Sequence, residues 1–273
     1  MGKIAFLLTC FNRKAKTNNC LSSLFSIVPD AHVFLVDDAS TDGTSEMVKS
    51  EFPSVKLIKG DGNLFWNRGM HRAWTEALKG DYDFYIWLND DVILRPNFLD
   101  ELFYSYNMAG EYSIVTGVIV DVHTKQVIYG GTDANKQLHQ IDGEIHDVTD
   151  MNGNVVLVPK CVVNRIGIND PVLHHAGGDT DYGYTARKNG IRVVTTTREV
   201  AEGYRNYFDR LRKWNTNIIK RFKYLYSPMG TNPNIGFYFF KKHFGLFKAV
   251  AYYIYLHLIN IPADWMMTRK HNK

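Results

Sequence analysis

Cysteine is scarce in this 273-residue sequence, which contains only Cys10, Cys20 and Cys161. No two of them form a C-x-x-C pair, and an odd number of cysteines gives no complete disulfide framework. The scarcity therefore argues against a disulfide-stapled secreted domain and against a cysteine-based zinc knuckle. It is typical of a protein that works in the reducing cytoplasm, which is the location we expect.

A large excess of one charge is also missing, because Lys and Arg together exceed Asp and Glu by only four. That balance is too small to indicate a nucleic-acid partner, and we expect none. The charges are unevenly distributed, since residues 1–202 contain 19 basic and 26 acidic residues whereas residues 203–273 contain 13 basic and 2 acidic ones. We therefore predict a domain over residues 1–202 and a basic, aromatic C-terminal extension over residues 203–273.

A continuous apolar run of the roughly 20 residues that a transmembrane helix needs is absent as well. The aromatic and apolar stretch over residues 237–262 is densest over residues 244–262, where Lys248 and His257 interrupt it. This stretch predicts either a helix that lies in a membrane interface or a helix that packs on the protein core. Its basic surroundings are compatible with a membrane surface or an anionic ligand.

Glycine-rich phosphate-binding loops are missing too. No G-x-G-x-x-G follows Leu8, which argues against a nicotinamide dehydrogenase. The lysine-bearing glycine loop expected of a nucleotidyltransferase is absent near the first strand. A metal-dependent nucleotidyltransferase remains an alternative, because it too would need an α/β sheet, acidic residues and a metal.

Apolar strands and helical stretches alternate along the first 110 residues. The predicted strands are residues 3–8, 32–36, 55–58 and 84–88, and the predicted helices are residues 15–27, 44–52, 67–78 and 98–106. Continuous apolar strands joined by crossover helices predict an α/β fold with a mainly parallel sheet that binds ligands beyond the carboxyl ends of its strands. The later part is predicted to be mixed or antiparallel, with strands 112–120, 126–129, 154–158 and 191–195 and a helix over residues 180–188.

Two carboxylates, Asp37 and Asp38, follow the second predicted strand. A carboxylate at this edge can accept a hydrogen bond from the imide N–H of uracil or thymine, or from a ribose hydroxyl. The alternative is that both acids satisfy the backbone of the turn, while Ser40 or Asp42 caps the next helix. For Asp42 we favour this local role.

Asn89, Asp90 and Asp91 follow the fourth predicted strand. Adjacent acids at the end of a buried strand are costly unless a positive charge meets them. A Mg²⁺ or Mn²⁺ ion would meet them and bridge phosphate oxygens, with few protein ligands because such ions keep water and substrate oxygens. The tripeptide is common in surface turns, so its position after a strand carries the prediction.

Asp179 stands at the entrance of a predicted helix, directly after two glycines. Glycines allow close approach of a ligand, and a helix N-terminus favours the charged form of an acid. Asp179 is therefore a candidate general base, since Asp181 lies further into the helix. His174 and His175 could bind an acceptor or a phosphate, although a structural role is more common for histidines.

Five segments, taken in chain order, resemble the motifs of an inverting family 2 glycosyltransferase of the GT-A fold. They are residues 9–13 (Thr-Cys-Phe-Asn-Arg), 37–44, 62–63, 89–91 and 178–183. The resemblance covers roughly residues 3–200, and the aromatic variant around Trp66 is similar to enzymes that build bacterial surface polysaccharides. It implies transfer of a sugar from a nucleoside diphosphate, UDP- or dTDP-linked sugars being favoured, to a hydroxyl of a glycan or lipid-linked acceptor.

The same resemblance implies a role for individual residues. Residues 1–110 would bind the nucleotide, and residues 111–202 would bind the acceptor and supply the catalytic base, Asp179. Asp91 would hold Mn²⁺ or Mg²⁺. The implied donor nucleotide site consists of Thr9, Phe11, Asn12, Arg13, Asp37, Asp38, Asn63, Arg68 and Asp90. The implied acceptor or sugar pocket consists of Trp66, Gly153, Asn154, His175 and Asp181.

The sequence departs from the family pattern at three places. Asn89 replaces the first acid of the D-x-D element, and Gly178 replaces the acid that precedes the base. Where many relatives have an A-R-N signature, this chain has Gly-Met-His over residues 69–71, so we expect Arg68 or Arg72 to contact the pyrophosphate. Trp66 could line the sugar pocket or belong to the core.

A non-catalytic sugar-nucleotide-binding subunit is the remaining alternative. Such a protein would keep the fold and lose its acids, whereas this chain has both Asp91 and Asp179. We therefore expect an active enzyme at the cytoplasmic face of the inner membrane, with peripheral membrane contact through residues 237–262 as one option.

Overall fold

The computed structural model describes residues 2–205 and 209–264. The chain divides into two compact units. The first consists of Met1–Pro171 and Gly177–Arg205, and the second of Val172–Ala176 and Asn206–Lys273. The domain boundary predicted at residue 202 stays a prediction.

The first unit alternates strands and helices. Its strands are β1 (Ile4–Cys10), β2 (His32–Asp37), β3 (Lys56–Lys59), β4 (Phe84–Leu88), β5 (Ile93–Leu94), β6 (Ser113–Asp121), β7 (Val127–Tyr129), β8 (Val155–Pro159) and β9 (Arg192–Gly203). Its helices are α1 (Lys14–Ile27), α2 (Thr44–Glu51), α3 (Phe65–Ala77), α4 (Phe98–Ala109), α5 (Lys160–Ile166) and α6 (Gly178–Lys188). In the second unit, the helices are α7 (Ile218–Leu225), α8 (Pro233–Phe244) and α9 (Leu246–Leu258).

One sheet runs through the first unit in the order β3-β2-β1-β4-β8-β6-β9-β5, with β7 paired to β6. The strands β3, β2, β1 and β4 are parallel, so their carboxyl ends share one edge. Strand β8 is antiparallel to β4, and Leu88 at the end of β4 pairs with Val155 at the start of β8. The sheet edge that carries the strand-end loops therefore also receives the segment that precedes β8.

Both faces of the sheet are buried, because the parallel strands are apolar at consecutive positions. Phe6 and Leu8 of β1 face a core that includes residues of α1, α2 and α4. Ala5 and Leu7 face the opposite core, where Trp74 of α3 packs among other aromatic side chains. The predicted α/β class, the mainly parallel sheet and a helix in the C-terminal stretch are confirmed.

Several predicted boundaries were wrong. Strand β9 continues to Gly203 instead of ending at residue 195, because its polar second half still pairs with β6 and β5. Helix α6 begins at Gly178 and not at residue 180, so Asp179 lies within its first turn. In the C-terminal stretch, residues 244–262 contain the expected helix as α9, and α8 precedes it, with Gly245 at φ of +90° between the two.

The two ends of the segment between β7 and β8 are hydrogen-bonded to each other. Thr132 and Asp150 form an antiparallel bridge, in which the Thr132 N–H donates to the Asp150 carbonyl at 3.0 Å. The residues between them are joined to the sheet by a bridge between Asp147 and Val194. This segment leads directly into the start of β8.

Candidate active site

The loops that follow β1 and β2 are hydrogen-bonded to each other. The Asn12 backbone N–H donates to Ser40 Oγ at 2.8 Å, and the Thr41 N–H donates to Asn12 Oδ1 at 2.7 Å. The Lys14 N–H, at the start of α1, donates to Asp42 Oδ2 at 2.9 Å. Asn12, predicted to bind the nucleotide, therefore uses its amide oxygen to hold the β2 loop in place.

Asp42 has the local role that the sequence favours. Its carboxylate accepts hydrogen bonds from both the hydroxyl and the backbone N–H of Thr44, the first residue of α2. Together with the N–H of Lys14, these bonds hold the pKa of Asp42 below its ordinary value, the Thr44 hydroxyl having the largest effect. One carboxylate thus serves the beginnings of two helices.

Asp38 organises the backbone that leads into α3. It is 4% exposed, its Oδ1 accepts the Gly62 N–H at 2.8 Å, and its Oδ2 accepts the N–H groups of Leu64 and Phe65 at 3.0 and 2.9 Å. Asp37 is also buried and accepts hydrogen bonds from the Ser40 N–H and the Ser45 hydroxyl. Both acids lie at the predicted edge, and their contact with a nucleotide stays a prediction.

The acid pair after β4 is matched by basic groups from α1 and the loop before it. Arg13 Nη1 lies 3.1 Å from Asp90 Oδ1 and 2.9 Å from Asp91 Oδ2, and Lys16 Nζ lies 3.9 Å from Asp91 Oδ2. The Thr17 hydroxyl donates to Asp90 Oδ2 at 3.2 Å. Burial raises the pKa of Asp90 to about 6, although the positive charge of Arg13 opposes this rise.

Lys16 and Thr17 are partners that the sequence reasoning missed. They follow Arg13 by three and four residues, so one face of a helix that begins at Lys14 brings them to the same place. The helical spacing could have identified them once Arg13 was assigned to this site.

The acid pair suits a hard divalent cation. It offers carboxylate oxygens, and it already attracts a guanidinium and an ammonium group to Asp91. Within residues 2–205 and 209–264, no cluster of three or more His, Cys, Asp or Glu side chains could enclose a metal by itself. A cation at Asp91 would therefore complete its shell with substrate oxygens and water, in competition with Arg13.

Asn89 connects three segments of the first unit through its side-chain amide. Its Oδ1 accepts a hydrogen bond from Trp66 Nε1 at 2.7 Å, and its Nδ2 donates to Asn154 Oδ1. Asn154 Nδ2 in turn donates to Asn152 Oδ1. Asn152 was not predicted, because nothing in the sequence distinguishes it from other loop asparagines.

Asp179 lies beside this amide network. Its Oδ2 accepts the Gly153 N–H at 3.0 Å, and its Oδ1 accepts the N–H of Thr180 at 2.8 Å. A side chain on Gly153 would have its Cβ 2.6 Å from the Trp66 ring and 3.3 Å from Asp179 Cβ, so this close approach requires glycine. The structure therefore brings the predicted base, Asp179, together with three residues of the predicted pocket, Trp66, Gly153 and Asn154, and their roles stay predictions.

Other predicted residues lie at the same edge with different exposure. Phe11 is 52% exposed, whereas Thr9 is buried with its hydroxyl so close to Gly69 of α3 that no Cβ would fit there. Asn63 is exposed at the loop before α3. Arg68 is half-buried, and its Nε donates to the carbonyl of Pro171 at 2.9 Å.

Asp181 and His175 are the other two residues of the predicted pocket. Asp181 is 1% exposed, so protein encloses its carboxylate and the predicted contact with an acceptor gains no support from its position. His175 belongs to the second unit, and its role stays a prediction.

Helix α3 is fastened to residues 169–171 by polar contacts. Asn67 Nδ2 donates to the Asp170 carbonyl at 2.7 Å, and Asn169 Nδ2 donates to Asn67 Oδ1 at 2.7 Å. His71 Nδ1 lies 2.7 Å from the Asn169 carbonyl. Of residues 69–71, which differ from the A-R-N signature, His71 therefore contacts a chain segment about 100 residues further along.

The chain matches a described protein family over most of its first unit. A family model described as glycosyl transferase family 2 matches residues 6–171. A poly-beta-1,6-N-acetyl-D-glucosamine synthase of Staphylococcus epidermidis is 31% identical over 93 residues. That match covers 33% of this chain and 22% of the synthase, so the chain spans about a fifth of the length of this curated relative.

Solved structures with the same fold include three complexes with a nucleotide or a nucleotide sugar. GalNAc-T7 with UDP, GalNAc and Mn²⁺ has a TM-score of 0.59 at 14% identity, over 76% of this chain and 44% of that one. S. aureus TarS 1–349 with UDP has a TM-score of 0.54 at 14% identity, over 74% and 60%. The mannosyltransferase PcManGT from Pyrobaculum calidifontis with GDP-Man and Mn²⁺ has a TM-score of 0.53 at 17% identity, over 95% and 71%.

Proposed function

Since this chain belongs to glycosyl transferase family 2 and has the GT-A fold, we propose that it transfers a sugar from a nucleoside diphosphate to a hydroxyl group, with inversion at the anomeric carbon. The observation that carries the proposal is the arrangement at one sheet edge. An acid pair, Asp90 and Asp91, lies there next to Asn89. The Asn89 side chain donates a hydrogen bond to Asn154, and the neighbouring Gly153 donates its N–H to Asp179.

The donor end of the site would be built from the loops after β1, β2 and β4. Asp91 would hold Mn²⁺ or Mg²⁺, which when bound neutralises charge on the leaving diphosphate. Arg13 and Lys16 form ion pairs with Asp91, and on donor binding their cationic groups would turn toward the diphosphate. Phe11 offers an exposed ring beside these loops for contact with the base.

Asp179 would act as the general base toward the acceptor hydroxyl. The N–H groups of Gly153 and Thr180 donate hydrogen bonds to its two oxygens, which fixes the orientation of the carboxylate. Trp66 would form a wall of the sugar pocket beside it. Direct attack by the deprotonated hydroxyl on the anomeric carbon inverts its configuration and needs no covalent enzyme intermediate.

We propose a role in the synthesis of a cell-surface polysaccharide. The curated relative is named for a poly-N-acetylglucosamine synthase, and two of the structural relatives hold UDP. A UDP- or dTDP-linked sugar is therefore the favoured donor, and a glycan or lipid-linked sugar the favoured acceptor. Lipid-linked acceptors lie in the membrane, so we also propose that the enzyme works at the cytoplasmic face of the inner membrane. No helix in the described part of the chain is both long and apolar enough to cross a bilayer.

The test is transfer from a panel of UDP-, dTDP- and GDP-linked sugars with Mn²⁺, using wild type and Asp179→Asn. Loss of the base is expected to lower kcat by roughly 10² to 10⁴, while binding of the donor, followed by thermal shift, is retained. The matched control is Asp30→Asn, because Asp30 is an exposed acid in the turn before β2. Donor binding without any product would indicate a binding subunit, and a normal kcat in Asp179→Asn would exclude this residue as the base.

A further inference from the structure

Helices α8 and α9 of the second unit pack against each other through aromatic side chains. The rings of Phe240 and Tyr252 stack with their centroids 4.1 Å apart, and those of Phe237 and Tyr253 meet edge to face at 6.3 Å. Leu256 is fully buried. One face of α9 is therefore used by packing within the second unit.

The opposite face of α9 is exposed and apolar. Phe247 is 87% exposed, Val250 42%, Ile254 50% and Leu258 58%, at positions i, i+3, i+7 and i+11 of the helix. We call these four side chains the α9 stripe. A helix that only covers a protein core has polar side chains on its outer face, so this pattern indicates a second contact surface.

The surroundings of the stripe are basic. The described residues 209–264 contain nine Lys and Arg and two Asp. Both acids are engaged within the unit, since Asp264 accepts a hydrogen bond from Arg212 and Asp209 accepts one from Trp214. Exposed lysines flank the stripe at its N-terminal end, namely Lys241, Lys242 and Lys248.

We propose that the α9 stripe docks on the surface of an anionic phospholipid bilayer. The helix would lie in the plane of the interface, with its apolar side chains at the boundary between headgroups and acyl chains and the lysines beside lipid phosphates. Tyr255 of α9 and Ile261, just after this helix, are exposed apolar residues as well. A second copy of this chain fits less well, because it would bring a surface of the same positive charge.

The inference rests on the proposed function in one respect, because it names the surface that would bring the enzyme to a lipid-linked acceptor. The docking itself needs no sugar transfer. Vesicle binding and transfer to a soluble acceptor can therefore be measured separately, and a failure of one leaves the other intact.

The experiment is sedimentation of the full chain with vesicles of phosphatidylglycerol and phosphatidylcholine in equal parts, and with vesicles of phosphatidylcholine alone. The test variant is Phe247→Gln with Ile254→Gln. The matched control is Tyr104→Gln with Met108→Gln, which also removes two exposed apolar side chains from one helix, α4 of the first unit. Circular dichroism verifies that all variants are folded.

Wild type and the control are expected to sediment with the anionic vesicles, and the stripe variant to bind at least about tenfold more weakly, because each lost apolar side chain contributes about tenfold or more when buried. Replacing Lys241, Lys242 and Lys248 by Gln is expected to weaken binding to anionic vesicles only. The proposal is overturned if wild type stays in the supernatant, if the stripe variant binds like wild type, or if neutral vesicles bind equally well. A doubled mass in light scattering that the stripe variant abolishes would assign the surface to a second copy instead.

Discussion

The side-chain amide of Asn89 joins two parts of the site, because it accepts a hydrogen bond from Trp66 and donates one to Asn154. A carboxylate at this position, as in the D-x-D element of the family, could accept from Trp66 but could not donate to Asn154. It would also add a negative charge next to Asp90 and Asp91. The departure from the motif is thus explained by the partners that surround residue 89.

Replacement of Asn89 by Asp is therefore expected to destabilise the fold by about 1 to 3 kcal/mol, the cost of leaving a partner without its hydrogen bond at a partly buried position. Urea denaturation followed by circular dichroism measures this difference. Asn107→Asp, at an exposed position of α4, serves as the control and is expected to change stability by no more than about 0.5 kcal/mol. Equal stability of Asn89→Asp and wild type would show that the amide network does not hold these segments.

Among the elements, those of the first half were predictable and several later ones were not. The strand β1 is buried along most of its length, so its apolar run was visible in the sequence. The second half of β9 has the charged residues Arg198 and Glu199, and only pairing with distant strands makes it a strand. The helix α5 was missed for another reason: it is only seven residues long, which gives little periodic signal in the sequence.

The sequence predicted where along the chain the acids of the site lie, but not which residues they contact. Acids at strand ends could be found from the sequence, because parallel strands place their carboxyl ends on one edge. Their partners could not, since contacts such as Asn67 with Asn169 join residues that are 102 positions apart. Likewise the contact of Gly153 with Asp179 depends on how α6 begins and on the antiparallel entry of β8.

The loop between β2 and α2 offers a test at the level of elements, because Asp42 serves the beginnings of α1 and α2. Asp42→Ala is expected to lower the stability at neutral pH by about 1 kcal/mol, as for the loss of a helix cap. The folded-state pKa of Asp42 is below its ordinary value of 3.8, so its stabilising effect is present above that pH and is lost as the pH falls through the folded pKa.

The measurement is the difference in unfolding free energy between wild type and Asp42→Ala from pH 7 down to pH 2, which is expected to shrink in acid. Asp42→Asn is the matched control, since it keeps a side-chain oxygen as acceptor and has no charge to lose. A difference that stays constant through the acid range would contradict the role assigned to the ionised carboxylate.

For the whole molecule, binding of donor and metal should appear as added stability. A nucleotide that binds only the folded state raises the melting temperature, so UDP or dTDP with Mn²⁺ is expected to raise it in wild type more than either component alone. Asp91→Ala is expected to abolish the additional effect of Mn²⁺. Glu46→Ala, an exposed acid of α2, is the control. An undiminished Mn²⁺ effect in Asp91→Ala would contradict the assignment of Asp91 as the metal ligand.

The bridge between Thr132 and Asp150 marks a segment that could be exchanged with that of a related protein. The chain enters and leaves the segment between them at neighbouring positions, and its exposed residues 140–144 can change in length and composition at small cost to the folded state, whereas Asp147 and Val148 are bonded to β9. Because the segment leads into the start of β8, which Gly153 and Asn154 of the proposed acceptor pocket directly precede, we expect a chimera exchanged within residues 140–144 to change the choice of acceptor and to leave use of the donor unchanged.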